Sequence, residues 1–415
     1  MTKHTESTNT AETTETTSTT AATDIRPFRI AIPQADIDEL RRRLAAARWP
    51  QPPAPVATLA SDWSRGVPLT YLRSLADYWA SGFDWRAQEA RLNAFPQFTT
   101  TIDGQTIHFI HVRSPNPDAT PLIITHGWPS SGAEFAQIIG PLTDPAAHGG
   151  DAANAFHVVI PTLPGFGFST PLAGAGWGNL FRVAGAWAEL MRRLGYDRYV
   201  AHGSDVGSGV AGMLPVVDRG RVAAVHISGP APFPFGPAMD AAALTSPRDK
   251  LRAERFNRYR EQGLGYLHMQ STRPQTLAYS LNDSPVGQLA WIVEKFAEWT
   301  DPAAALPDQA VDRDQLLTLV SIAWFTGSGA SSAHFTYEGM QAFAEFARET
   351  GGAVKLFSAE GSRLGVAVFA GDFSVRSVLD PDGAASSWTE YDRGGHFPAM
   401  EVPDLLVGEL RRFFR

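Results

Sequence analysis

An aspartate stands where a predicted strand turns directly into a predicted helix. Asp205 lies in the segment Ala201-His-Gly-Ser-Asp-Val-Gly-Ser-Gly209, between apolar residues 196–201 and 210–214. The small residues around it permit a sharp turn that would expose the carboxylate. A carboxylate nucleophile attacks saturated carbon and forms an alkyl ester, which suits the opening of an epoxide or the displacement of a halide. An aspartate here is equally typical of a helix N-cap, and these residues alone do not decide between the two roles.

Two backbone N–H groups are placed where they could stabilise an oxyanion beside Asp205. His126-Gly-Trp128-Pro129 directly follows the predicted strand 122–125, and a turn there can present the Trp128 N–H to a site. The Val206 N–H lies at the N-terminus of the predicted helix and can supply the second donor.

An acid and a histidine follow Asp205 along the chain. Asp372 comes just after the predicted strand 364–369, and His396 lies in the glycine-rich loop 392–398 before the last helix. A single loop histidine is more often structural. The order nucleophile, acid, histidine is the one used by α/β-hydrolases, and it favours a catalytic role for His396. The sequence contains no His-Glu-x-x-His or similar metal-binding spacing.

The composition limits the partners and chemistry that the chain can use. Of its 415 residues, 44% are hydrophobic and 19% charged, which is enough apolar sequence for a large core. The formal net charge of −8 gives no electrostatic reason to expect nucleic acid or an anionic membrane as a partner. Cysteine is absent, which excludes disulfides, thiolate catalysis and Cys-ligated metals. We expect no cofactor and no metal.

The first 25 residues differ in composition from the rest. They are rich in threonine and contain no apolar run, so they are predicted to be a disordered tail. They lack the basic and hydrophobic regions of a signal peptide, and no later segment reaches an uninterrupted apolar span of 18 residues. The protein is therefore predicted to be cytoplasmic.

Strands and helices alternate through much of the remaining sequence. The predicted strands are 98–102, 106–112, 121–125, 157–160, 198–201, 222–227, 364–369 and, more faintly, 387–391. Helical segments follow several of them, which indicates an α/β fold with a mostly parallel, doubly wound sheet. Residues from about 230 to 337 are predicted to be helical. A helical block inside an α/β sheet is typical of a lid over the carboxyl ends of the strands.

These motifs together resemble the epoxide hydrolases of the microsomal type, which carry an extra N-terminal domain on an α/β-hydrolase fold. The resemblance covers residues 26–415. Its further motifs are Arg26-Pro-Phe, Arg48-Trp-Pro50, Gly265-Tyr-Leu-His-Met-Gln270, Pro274-Gln-Thr-Leu-Ala278 and Asp283-Ser-Pro-Val-Gly287. Similar enzymes occur in actinobacterial secondary-metabolite pathways, so the resemblance implies a natural-product epoxide as one substrate.

The fold implied by these observations has five parts. They are a disordered tail (1–25), an N-terminal meander domain (26–97), the first part of the α/β-hydrolase core (98–229), a helical lid (230–345) and the second part of the core (346–415).

The resemblance also implies a role for each motif residue. Asp205 is the nucleophile, His396 the general base and Asp372 the acid that orients it, while Trp128 and Val206 supply the oxyanion N–H groups. The family usually has tryptophan directly after the nucleophile, where this chain has valine.

Two tyrosines of the lid donate to the epoxide oxygen in the family. The first corresponds to Tyr266. The second falls at Thr336 on an ungapped alignment, with Tyr337 one place along, a rotation of about 100° on a helix. Either the backbone shifts to bring Tyr337 into the site, or one tyrosine works alone.

The resulting prediction is cofactor-independent hydrolysis of a small apolar or aromatic epoxide by water, giving a vicinal diol. Alternatives are a haloalkane-type dehalogenase, which needs halide-binding N–H donors instead of a lid hydroxyl, and a non-catalytic binding protein with a hydrolase fold. A serine esterase is disfavoured because Ser204 and Ser208 are not at the apex of the turn. The oligomeric state stays open, with a homodimer as one alternative.

Overall fold

The computed structural model describes residues 24–50, 62–350, 356 and 359–415, so the predicted tail lies outside them except for its last two residues. Within these residues nine strands form one sheet in the order β1-β2-β3-β5-β4-β6-β7-β8-β9. The strands are β1 (Arg26–Phe28), β2 (Gln97–Ile102), β3 (Gln105–Val112), β4 (Thr120–Thr125), β5 (Phe156–Pro161), β6 (Tyr199–Ser204), β7 (Val222–Ser228), β8 (Arg363–Val368) and β9 (Ser387–Glu390).

The α-helices fall into three groups along the chain. The N-terminal helices are α1 (Gln34–Ala45), α2 (Leu69–Ser81) and α3 (Trp85–Leu92). Helices α4 (Ala136–Thr143), α5 (Leu180–Arg193), α6 (Val206–Val217), α14 (Arg376–Leu379), α15 (Pro398–Glu401) and α16 (Pro403–Phe413) alternate with the strands. Between β7 and β8 lie α7 (Pro247–Arg258), α8 (Gly265–Thr272), α9 (Pro274–Asp283), α10 (Pro285–Trp299), α11 (Pro307–Ala310), α12 (Arg313–Thr326) and α13 (Ser328–Thr350).

The central strands are buried on both faces, which explains their uninterrupted apolar sequences. Alternate residues of one strand enter different cores: Ile123 packs into the core that contains α5, whereas Leu122 and Ile124 pack into the core that contains α4 and α16. The strands from β5 across to β9 are parallel, and β1, β2 and β3 pair antiparallel at one edge. The fold is therefore the α/β-hydrolase fold expected from the sequence.

The N-terminal segment joins the edge of the sheet to the lid. Its strand β1, which the sequence pattern does not predict, pairs with β2. The Trp79 indole N–H donates to Ser321 Oγ at 2.9 Å, and the Tyr78 hydroxyl donates to Asp314 Oδ1 at 2.8 Å, both on α12. The segment thus supports the helices above the sheet from outside.

Between β7 and β8, the described residues 247–350 are mainly helical, and they include most of the region from about 230 to 337 that the sequence predicts to be helical. Among the described residues no single helix is long and apolar enough to cross a membrane. Helix α12 and the Ser328–Phe346 part of α13 meet that criterion only when taken together, and they are bent by 87° where they meet.

Candidate active site

Asp205 occupies a strained turn between β6 and α6. Its φ is 53° and its ψ is −127°, and among the described residues only Asp103 is another non-glycine residue with positive φ. Such a conformation costs on the order of 1–3 kcal/mol and is concentrated at functional sites. Asp205 stands at the N-cap position of α6, but its side chain makes no capping hydrogen bond there, so capping does not account for an aspartate at this position. The start of α6 lies so close to the end of β4 that a Cβ on Gly207 would be only 2.0 Å from the Thr125 carbonyl oxygen.

The loop after β4 supplies a donor to this carboxylate. The strands β4 and β6 are neighbours, with Thr125 paired with Gly203, so the two loops leave the sheet side by side. The Trp128 N–H donates to Asp205 Oδ1 at 2.9 Å. The approach requires glycine before Trp128, because a Cβ on Gly127 would lie 2.3 Å from Asp205 Oδ1.

His396 faces the other oxygen of the same carboxylate. Its Nε2 lies 3.4 Å from Asp205 Oδ2, which is long for a hydrogen bond. The His396 backbone N–H donates to the Trp299 carbonyl at 2.9 Å. Glu401 accepts the Phe397 N–H at 3.0 Å, which holds the loop directly after the histidine. The position of the imidazole is therefore fixed by both the lid and the last helices.

Asp372 lies in the turn after β8 and completes the group. Its Oδ2 accepts the Phe369 N–H at 2.7 Å, and the carboxylate is buried. Burial raises the pKa of Asp372, while the Phe369 N–H and the positive charge available on His396 oppose the rise. The negative charge of Asp372 in turn stabilises the imidazolium form of His396.

The charges of Asp205 and His396 stabilise one another. Burial opposes ionisation of Asp205, but His396 and the Val206 and Trp128 N–H groups outweigh burial and keep the Asp205 pKa below its ordinary value. Burial likewise lowers the His396 pKa, but Asp205, Asp372 and Glu134 outweigh it and raise that pKa above the ordinary value. The resting site thus favours a carboxylate beside an imidazolium.

Glu134 is a charged group near this site that no sequence motif marks. It lies in a short 3₁₀ turn (Gly132–Phe135) after the Trp128 loop, is buried, and its Oε1 has no hydrogen-bond partner within the described part of the chain. Burial raises the Glu134 pKa to about 7, with His396 and Ser130 opposing the rise. The sequence gives little indication of a role for Glu134, because a glutamate in a turn is usually exposed to solvent.

We expect Asp205→Asn to lower the pKa of His396, because the substitution removes the largest group that raises this pKa and leaves burial in place. Titration of His396 by NMR in both proteins measures the change. Asp197→Asn is the matched control, because the Asp197 side chain is fully exposed beside Arg221, before β6 rather than after it. An unchanged His396 titration in Asp205→Asn would contradict the electrostatic coupling.

Tyr266 of α8 lies over the same site, as expected. Its ring stacks on Trp128 with centroids 4.9 Å apart, and it meets Trp299 edge-on at 5.5 Å. The ammonium of Lys295 lies 4.8 Å from the Tyr266 ring centroid. Burial raises the Tyr266 pKa well above its ordinary value, and the negative charge of Asp205 adds to the rise, so the hydroxyl stays protonated.

The structure does not bring Tyr337 into the site, which corrects its inclusion among the candidate catalytic residues. Tyr337 is 38% exposed, whereas its neighbour Thr336 lines the cavity. The physical reason is that α13 is a regular helix at this point, so consecutive side chains are rotated by about 100°. The Thr336 hydroxyl donates to the Ser332 carbonyl of its own helix at 3.0 Å.

A second lid tyrosine does reach the cavity, at a position that the sequence motifs do not predict. The Tyr259 and Tyr266 hydroxyls are 3.0 Å apart, and both residues line the cavity. Tyr259 begins a π-helical turn (Tyr259–Gly263) between α7 and α8. The 3.6-residue period of an α-helix does not apply to such a turn, so the direction of the Tyr259 side chain cannot be predicted from helical spacing in the sequence.

The cavity has a volume of about 390 Å³ and joins these groups under the lid. Asp205, His396 and Asp372 contribute to its floor. Its other walls are mainly apolar and include Phe233, Leu267, Phe335, Met340 and Phe343. The described residues contain no group of three His, Asp or Glu side chains that could hold a metal ion. The site can therefore bind an apolar molecule and present it to an ionised carboxylate.

Comparison with protein families gives two matches. Residues 25–135 match the family model described as the epoxide hydrolase N terminus. Residues 120–272 match the model of the alpha/beta hydrolase fold.

Similar proteins span nearly the whole chain. A protein of Stigmatella aurantiaca whose name assigns it to the epoxide hydrolases is 44% identical over 94% of this chain and 85% of its own length. Epoxide hydrolase 1 of Sus scrofa is 32% identical over 94% of this chain and 88% of its own length. The solved structure of Aspergillus niger epoxide hydrolase superposes with a TM-score of 0.79 at 31% identity and covers 95% of this chain and 97% of that one.

Proposed function

Because the chain belongs to the epoxide hydrolase family, we propose that it opens an epoxide to a vicinal diol through an ester on Asp205. The observation that carries this mechanism is the placement of an ionised carboxylate and a protonated phenol in one apolar cavity. An epoxide between them meets a nucleophile at carbon and a hydrogen-bond donor at oxygen.

In the first half-reaction Asp205 attacks an epoxide carbon. A C–O bond forms to the carboxylate, the ring C–O bond breaks, and the ring oxygen takes a proton from the Tyr266 hydroxyl. Ester formation removes the negative charge that raises the His396 pKa. His396 then releases a proton, which replaces the one taken from Tyr266, and becomes a neutral base.

In the second half-reaction His396 takes a proton from water, and the hydroxide adds to the ester carbonyl of Asp205. The Trp128 and Val206 N–H groups stabilise the resulting oxyanion, an effect worth on the order of 3 kcal/mol per donor in comparable sites. Collapse breaks the C–O bond to the substrate, and the leaving oxygen takes the proton of the added hydroxyl. This step releases the diol and restores the Asp205 carboxylate beside the imidazolium.

Two other functions fit the site less well. A dehalogenase uses the same carboxylate and histidine but binds a leaving halide with N–H donors, whereas the lid here presents phenols. A binding protein would have no need of a strained aspartate held against both an oxyanion donor and a partly buried imidazole.

We expect the purified protein to convert styrene oxide to phenylethanediol and to release no chloride from 1-chlorobutane. Gas chromatography and a chloride assay on the same preparation measure the two activities. Chloride release without diol formation would favour the dehalogenase, and neither activity from a folded protein would favour the binding protein.

The natural substrate that we propose is a larger apolar epoxide. The cavity of about 390 Å³ exceeds the space that styrene oxide needs, and its walls carry several aromatic rings. A natural-product epoxide is the first candidate, and detoxification of a reactive epoxide is the second.

A further inference from the structure

We infer that Tyr259 is a second catalytic tyrosine of the lid and donates a hydrogen bond directly to the epoxide oxygen together with Tyr266. This inference rests on the proposed function and extends it to a residue at a different place in the lid from the second tyrosine of the family. The observation behind it is the 3.0 Å separation of the two phenol oxygens within the cavity that holds Asp205.

The position where the family resemblance places the second lid tyrosine offers no such donor here. Thr336 faces the cavity, but its hydroxyl hydrogen is directed to the Ser332 carbonyl at 3.0 Å. Its side chain is also shorter than tyrosine by a whole ring. Tyr337 points away and is 38% exposed. The lid would therefore present one hydroxyl if Tyr259 did not reach the site.

The π-helical turn directs Tyr259 into the cavity. A turn of this kind inserts an extra residue into a helical path and re-aims the side chains next to it, and such turns are frequent at functional sites. Gly263, at the end of the turn, packs against the Tyr259 ring so closely that a Cβ there would lie 2.5 Å from Tyr259 Cδ2. The ring also stacks on Phe373 with centroids 5.2 Å apart.

The hydroxyls of Tyr259 and Tyr266 suit joint donation to one oxygen. An acceptor at the usual O–H···O distance of about 2.7 Å from each phenol forms a nearly equilateral triangle with two oxygens 3.0 Å apart. Each hydroxyl only has to turn about its C–O bond. Burial also raises the pKa of Tyr259, and the negative charge of Asp205 adds to the rise, so this phenol stays protonated as a donor must.

The alternative role for Tyr259 is to position Tyr266 through their mutual hydrogen bond. A double-mutant cycle on alkylation separates the two roles. We expect Tyr259→Phe to slow ester formation from styrene oxide about 10-fold, and Tyr266→Phe to slow it by about 10²-fold or more. If both phenols touch the oxygen, Tyr259→Phe further slows the Tyr266→Phe enzyme. If Tyr259 acts only through Tyr266, the second substitution has no effect in that background.

The measurement is the single-turnover rate of ester formation, followed by quenching and mass spectrometry, together with the rate at which the ester is hydrolysed. A donor to the epoxide oxygen affects the first rate and leaves the second unchanged, whereas a loosened lid would alter both. Tyr337→Phe is the matched control and should leave both rates unchanged, because Tyr337 is outside the cavity. Thr336→Tyr should restore ester formation to the Tyr259→Phe enzyme, because residue 336 faces the same cavity.

The inference is overturned if Tyr259→Phe forms the ester at the wild-type rate, or if it slows ester formation only when Tyr266 is present. The proposed function fails in a different way, namely if the wild-type protein forms no ester with any epoxide. The two failures are therefore distinguishable in one set of proteins.

Discussion

Asp205→Asn should lower turnover of styrene oxide by roughly 10⁴-fold or more, which is the size of the fall in turnover when an enzyme loses its covalent nucleophile. The amide fits the same strained turn and can still accept the Trp128 N–H. It has no charge with which to attack carbon. Steady-state diol formation measures the loss, and circular dichroism of the variant checks that it is folded.

Isotope labelling of the wild-type enzyme tests the same point without a mutation. In a single turnover with excess enzyme in ¹⁸O-water, the diol should carry no label and the label should enter the Asp205 carboxylate. The reason is that the oxygen given to the diol comes from Asp205, while water replaces it there. Label in the diol on the first turnover would mean that water attacks the epoxide directly.

Much of the sheet could be predicted because local sequence determines it. Strands β4 and β5 are buried on both faces, so Leu122-Ile-Ile124 and Val158-Val-Ile160 carry a signal that no exposed segment would carry. Strand β1 could not be predicted in this way. It has three residues, too few to show alternation, and it is defined by pairing with β2, which lies about 70 residues further along the chain.

The core of the candidate site could also be predicted, because each group directly follows or precedes a regular element. Asp205 follows β6 and Trp128 follows β4, and parallel strands place such residues at one edge of the sheet. The lid residues do not follow strands of the sheet, so their positions cannot be predicted in this way. The facing of Tyr259 depends on a π-helical turn, and Tyr337 lies one residue from a position that does face the cavity.

Glu134 illustrates a further limit, because its significance comes from burial and not from its type. The sequence places it in a short polar segment, Ser130-Ser-Gly-Ala-Glu134, with no mark of the interior. Only the packing of that turn against the rest of the chain buries its carboxylate near His396.

His396→Gln should stall the enzyme after its first half-reaction. Asp205 keeps its strained placement and the Trp128 N–H, so it still attacks the epoxide, but the glutamine amide cannot take a proton from water. Ester hydrolysis should slow by roughly 10³-fold, the middle of the range for loss of a general base. Intact-protein mass spectrometry after mixing with styrene oxide should therefore show an adduct of one substrate per chain, which peptide mapping places on Asp205.

The double variant Asp205→Asn with His396→Gln is the control, because it should form no adduct under the same conditions. His334→Gln is a second control. His334 is hydrogen-bonded to Gln275 on the outside of the lid, so the substitution should leave turnover unchanged. Rapid turnover by His396→Gln with no adduct would remove His396 from the role of base. Adduct formation that is much slower than in the wild-type enzyme would instead show that attack by Asp205 depends on the positive charge of the imidazolium. That result would mean that the charge of His396 matters to attack by Asp205 more than the N–H donors do.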